Sequence, residues 1–192
     1  MNSEPGTKNQ QIIIGLIGEM AAGKSTVTNY IKEKHGAVTF RFSDMLRDVL
    51  TRLHLETSRA NMQTISTLLR QQFGDDLMSK VIAADVAEAD APLIITEGIR
   101  RPSDITYLKQ VPGFVLVALT ADPKVRFERI TKRTENPDDA TKTWEQFEQE
   151  QKQEAEQKIK ELMQDADFTI DNDGTKKELF EHTDAILKKL GM

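Results

Sequence analysis

The sequence predicts an α/β domain in which a parallel sheet is covered on both faces by helices, and three observations predict it. Short continuous apolar runs at 12–17, 37–42, 92–96, 114–119 and 168–170 alternate with longer segments of helical period, the pattern of strands joined by helical crossovers. The 192 residues can bury one substantial core, and no linker-like stretch divides them. Directly after the first run stands Gly18-Glu19-Met20-Ala21-Ala22-Gly23-Lys24-Ser25, which fits G-x-x-x-x-G-K-[ST] in its required strand-to-helix setting.

Residues 1–11 carry Pro, Gly, Ser and Asn with little to bury, so a flexible tail is expected before a single domain over 12–192. A helix over 24–34 should turn Val27, Tyr30 and Ile31 inward and end at Gly36. After the strand at 37–42, Ser43-Asp44 offers a helix start for a face of Leu46, Val49, Leu50 and Leu53. Over 57–89 the repeats Met62, Ile65, Leu69, Phe73 and then Leu77, Val81, Ile82, Val86 predict at least two helices separated near Gly74.

The strand at 92–96 ends in Glu97-Gly98-Ile99-Arg100-Arg101. Beyond the strand at 114–119, a helix over 122–133 brings Arg126, Arg129 and Arg133 toward one face. Residues 135–139 break it. A long charged helix is then expected over 142–164, with Trp144, Phe147, Ala155, Ile159 and Leu162 as its apolar stripe. A brief strand, a turn at 171–174 and a closing helix marked by Leu179, Thr183, Ile186 and Leu190 complete the chain.

Polar clusters fall after the first three strands, and ligands of open parallel sheets sit at those carboxyl ends. In the Gly18 to Ser25 loop, glycines allow bends at which backbone N–H groups converge on a polyphosphate. The helix start adds its positive end. Lys24 can reach the β and γ phosphates, the Ser25 hydroxyl can ligate Mg²⁺, and Thr26 continues the turn; ATP and Mg²⁺ are the cofactors expected.

Composition narrows the alternatives. The net charge of −5 argues against binding nucleic acid. Cysteine is absent, which excludes thiolate chemistry and fits a reducing compartment. His35, His54 and His182 have no ligand spacing, and no apolar run approaches membrane-spanning length. A soluble cytoplasmic protein, monomeric or weakly dimeric, acting on a small-molecule phosphate acceptor, is the expectation.

With these residues in place, the chain resembles the P-loop nucleoside monophosphate kinases. That resemblance implies a P-loop NTPase fold with a five-stranded parallel sheet, acceptor-binding helices over about 44–90 and a short LID over about 133–142. Asp44-Met45-Leu46-Arg47 is similar to the stretch in which an arginine of adenylate kinases holds the acceptor phosphate, with Ser43 in place of Gly. Glu97-Gly98-Ile99-Arg100 is similar to their Asp-Gly-Phe-Pro-Arg, with Glu for Asp and one residue missing before Arg100. Arg129-Ile130-Thr131-Lys132-Arg133 resembles the start of the LID.

A closer resemblance, over almost the whole chain, is to uncharacterised archaeal and bacterial P-loop proteins described as AAA-like ATPases or nucleotide kinases. It rests on Gly98-Ile99-Arg100, Arg126-Phe127-Glu128-Arg129, the segment 143–147 and the ending 166–174. The loop and that ending also resemble dephospho-CoA kinase.

The motifs, the strand-end positions and the resemblance together put Lys24, Arg129, Arg133, Arg100 and Asp44 at the chemistry, Asp44, Arg47, Arg59, Arg70 and Arg100 at the acceptor, and Ser25 with Glu97 at the metal. The bland alternatives are that helical arginines pair with carboxylates and that Glu97 serves a helix N-terminus. Asp44 is open between orienting Arg47 and accepting a proton from an acceptor hydroxyl. Beside kinases of nucleotides or of dephospho-CoA stands a nucleotide-dependent switch that signals through the long charged helix.

Overall fold

The computed structural model describes residues 11–132 and 139–192. The expected tail lies almost wholly outside the described residues, as does most of the expected LID, with Arg133. Five strands, β1 (Ile12–Gly18), β2 (Val38–Arg41), β3 (Leu93–Glu97), β4 (Phe114–Thr120) and β5 (Phe168–Asp171), form one sheet in the order β2-β3-β1-β4-β5. Every pairing is parallel, from Ile12 beside Leu93 to Thr120 beside Asp171.

Among the described residues eight helices accompany the strands: α1 (Lys24–His35), α2 (Asp44–Arg52), α3 (Arg59–Phe73), α4 (Leu77–Glu88), α5 (Pro123–Lys132), α6 (Trp144–Gln151), α7 (Glu154–Met163) and α8 (Lys176–Lys189). Short 3-10 turns at Pro102–Ile105 and Leu108–Gln110 lead from β3 to β4. This is the α/β architecture of the P-loop NTPases. Among the described residues, no helix is long and apolar enough to cross a membrane.

Alternation along β1 divides the core. Ile14 and Leu16 join Val27 and Ile31 of α1 and Leu179, Ile186 and Leu187 of α8 on one face. On the other, Ile13 packs with Ile82 and Val86 of α4, and Ile17 with Ile159 and Leu162 of α7. Strands buried on both faces read as unbroken apolar runs for this reason. Gly15 lies where the sheet is crowded, and a Cβ there would stand 2.8 Å from the Phe114 ring. Gly36 ends α1 in the left-handed region at φ 68°, its N–H donating to Lys32 O.

One expectation needs correction. The long charged helix is two helices, because α6 stops at Gln151 and Lys152-Gln153 turn the chain before α7. Thr143 opens α6 with a reciprocal cap to Gln146, and the Gln157 side chain donates to Gln151 O across the break. A run of helix-forming charged residues has too little apolar surface to signal where tertiary contacts bend it.

The two helices expected over 57–89 are α3 and α4, and the apolar repeat of α3 does not enter the core, since α3 has no buried residue and Phe73 remains 62% exposed. We expect Phe73→Ser to change stability by no more than about 0.5 kcal/mol, whereas Ile95→Ala should cost about 2–5 kcal/mol. Urea unfolding of the two variants beside the parent checks this contrast.

Candidate nucleotide and acceptor site

The chain turns from β1 into α1 through the glycine-bounded loop, and its backbone carries the shape of an anion nest. Ala21 at φ 60° and Gly23 at φ 107° are both left-handed, the alternation that directs successive N–H groups into one concavity. A Cβ on Gly18 would stand 2.5 Å from Leu119 O, and one on Gly23 would collide with Asn172 Nδ2. Gly23 caps α1 without a side-chain hydrogen bond, and the first turn of α1 holds no acidic residue. The N–H groups that open the helix have no intrahelical acceptors, so they are free for an anion.

Contacts from distant parts of the chain hold the loop. Asn172, just after β5, donates from Nδ2 to Ala22 O at 2.8 Å. Arg126 of α5 is only 2% exposed and donates to Glu19 Oε1 at 3.0 Å, Met20 O at 3.4 Å, Ala121 O at 3.1 Å and Gln151 Oε1 at 2.8 Å. Lys160 of α7 adds a second cation 3.5 Å from Glu19 Oε1.

Two cavities flank the loop. The first, about 680 Å³, is lined by Gly18, Met20, Ala21, Gly23, Lys24, Ser25 and Thr26, and on its far walls by Arg100, Arg129, Glu156, Asn172 and Lys176. Of the expected loop residues, Glu19 and Ala22 do not line it, because Glu19 turns to Arg126 and Ala22 is buried beneath the loop. Arg129 donates from Nη2 to Asn172 O at 2.7 Å, while its Nη1 is buried without a partner.

The second cavity, about 740 Å³, lies under α3 and shares Lys24, Ser25, Gly98 and Arg100 with the first. Arg41, Arg59, Arg70 and Arg101 add four more guanidinium groups to its wall. Glu97 accepts from Thr28 Oγ1 at 2.5 Å and from Arg41 Nε at 2.6 Å. Asp104 accepts the backbone N–H groups of Arg100 and Arg101 at 2.9 and 3.0 Å and pairs with Arg70 at 3.2 Å. Arg70 also donates to Asp75 O.

Arg47 and Asp44 line neither cavity. Arg47 donates to Ser43 Oγ at 2.6 Å and Asp44 Oδ1 at 3.1 Å, and Asp44 accepts Arg41 N–H at 2.9 Å, closing the turn before α2. Sequence reasoning passed over Arg41, Arg101 and Asp104. The signal was available for Asp104, since Pro102 at the first turn position and Asp104 two residues later spell a helical start.

Comparison with known proteins agrees with this geometry. The model of the family described as "AAA domain" matches residues 14–158. The chain belongs to that family. A UPF0200 protein of Hyperthermus butylicus is 27% identical over 180 residues, 94% of this chain and 95% of that protein. Another, of Methanocaldococcus jannaschii, is 28% identical over 181 residues, 93% of this chain and 90% of that protein. Among solved structures, a shikimate kinase from Bacteroides thetaiotaomicron superimposes with a TM-score of 0.63 over 94% of this chain and 99% of that one, at 16% identity. The fold, an α/β P-loop NTPase fold, is thus shared with that kinase.

Lys24 donates to Gly18 O at 2.6 Å and Glu19 O at 2.9 Å. Burial lowers its ammonium from 10.5 to about 8, opposed by the nearby Glu156 carboxylate. Between pH 8 and 10.5 the unfolded chain therefore holds a proton that the native state has released, so stability rises with pH across that window. Below it, the native state carries the full cost of the buried charge. Lys24→Met should stabilise the ligand-free protein at pH 7 by on the order of 1–3 kcal/mol. The gain should fade above pH 10.5. Urea unfolding at both pH values checks this, and a variant less stable than its parent at pH 7 contradicts it.

Proposed function

We propose that the protein is an ATP- and Mg²⁺-dependent kinase of a nucleotide or nucleotide-like small molecule, most simply a nucleoside monophosphate. The observation that carries this reading is the junction of two cavities at Lys24, Ser25, Gly98 and Arg100, the second walled by arginines. Phosphoryl transfer asks a protein mainly for positioning and for positive charge around the moving group. A switch that only binds and hydrolyses nucleotide has no need of the second cavity.

The residues fit the absent groups. The uncapped start of α1 and the left-handed loop suit the phosphates of ATP, and Lys24 with Arg129 adds charge on either side. The Ser25 hydroxyl, with Glu97 nearby, supplies the hard oxygen donors that Mg²⁺ selects. Mg²⁺ bound there would screen the phosphate charge. Arg100 belongs to both cavities and holds donor and acceptor phosphates against one another. Arg59, Arg70 and Arg101 bind the acceptor, with Arg70 and the 100–101 backbone positioned by Asp104.

The acceptor's chemistry follows from the carboxylates. A hydroxyl must lose a proton during attack, whereas a phosphate arrives as an anion and needs no base. The carboxylates lining the second cavity are Glu97 and Asp104, and the oxygens of both are engaged with protein donors. Asp44 lies outside the cavity and orients Arg47. This favours an anionic acceptor over dephospho-CoA with Asp44 as base.

A coupled ADP-release assay across nucleoside monophosphates, deoxynucleotides and dephospho-CoA tests the reading. Turnover should depend on a nucleoside monophosphate. Arg59→Ala and Arg101→Ala should each raise the acceptor KM about tenfold with little change in the KM for ATP, the loss expected for one charge-assisted contact. Asp44→Asn should lower kcat by well under the 10²–10⁴ typical of a lost general base. ATP hydrolysis indifferent to every acceptor would overturn the proposal.

A further inference from the structure

The nucleotide cavity contains a group that does not belong with phosphates. Glu156 of α7 lines it beside Lys24, Ser25, Arg100 and Arg129, and its Oε2 is buried without a hydrogen-bond partner. Arg129 Nη1, on the same wall, is also buried and unpartnered. Neither atom has a hydrogen-bond partner among the described residues, so only through-space charge, as between Glu156 and Lys24, offsets its burial. The arginine is explained by a phosphate. A carboxylate in the same place repels one.

We propose that Glu156 faces the divalent cation accompanying the nucleotide, accepting hydrogen bonds from its water shell, and so makes this site select the metal complex over the free nucleotide. Among the described residues no cation is hydrogen-bonded to Glu156 Oε2: Lys24 feels its charge but is directed to Gly18 O and Glu19 O, and Arg129 Nη2 to Asn172 O. Among the described residues no three His, Asp or Glu side chains come together as a metal cage. A cation therefore enters with the polyphosphate, keeping much of its water, which is the habit of Mg²⁺ at nucleotide sites.

Glu156 lines the nucleotide cavity and Glu97 the acceptor cavity, and Ser25 lies in both. Glu156 is thus a positioning residue distinct from Glu97, the last residue of β3. A carboxylate there penalises bare nucleotide, whose charge is uncompensated, and rewards the complex through bonds to bound water.

The inference rests on the nucleotide reading of the cavity, and calorimetric binding of ADP separates the two. ADP is titrated into the parent, Glu156→Gln and Glu156→Asp proteins, with Mg²⁺ or with EDTA. The parent should bind at least about tenfold more tightly with Mg²⁺. Glu156→Gln, of the same shape, should bind metal-free ADP more tightly and cut the Mg²⁺ gain to about threefold or less, while Glu156→Asp should keep most of it. An equal Mg²⁺ gain in the parent and Glu156→Gln would overturn the role of Glu156 and leave nucleotide binding intact. A parent that binds ADP under neither condition would overturn the nucleotide reading and this inference with it.

Discussion

The site depends on a loop backbone held open before any ligand arrives. Such a loop has no side-chain core, and its left-handed residues would relax if nothing opposed them. Here the opposition comes from polar groups far away in sequence. Asn172 grips Ala22 O from beyond β5, and the buried Arg126 spans Met20 O and Glu19 from α5. Arg126 also bonds Gln151 at the end of α6. A guanidinium suits this place because its five donors in a rigid fork can serve several acceptors at once. The loop is thereby tied to the helices on both sides of the 133–138 segment.

That tie explains how the site's two halves differ. Around the nucleotide cavity the walls are set by the core, with Ile17, Leu119, Ile159 and Leu179 buried beneath them. Around the acceptor cavity α3 offers no buried residue, and the arginines are positioned by Asp104, Glu97 and backbone oxygens. Few buried apolar contacts mean a low free energy for local opening. A wall built this way can move without disturbing the sheet.

The legibility of the sequence follows the same division. The β-strands and α1 were readable because doubly buried strands and a glycine-bounded loop leave strong local signals in Ile12 to Ser25. The break at Lys152-Gln153 was not, because charged helix formers continue a helix as readily as they end one. Within the site, Lys24, Ser25, Arg59, Arg70, Arg100 and Arg129 all reach one cavity or the other. Arg126 was placed on one face with Arg129, yet it is buried against the loop. Spacing of three and four specifies a shared face but not which neighbour that face meets. Asp44 and Arg47 show the opposite limit, since a motif can match residue by residue while its side chains close a local turn.

An acidic chain with an arginine-walled cavity is no contradiction, because net charge governs long-range encounter while a site is set by charges within a few ångströms. The 26 basic residues are outnumbered by 31 acidic ones, yet five guanidinium groups line the acceptor cavity against two carboxylates. Glu97 is committed to Arg41, and Asp104 to Arg70 and two backbone N–H groups, so neither neutralises Arg59, Arg100 or Arg101. The carboxylates thus serve to aim the cations. Taking an anion out of water is costly unless the receiving groups are already oriented, and here Arg41 and Arg70 are oriented by Glu97 and Asp104.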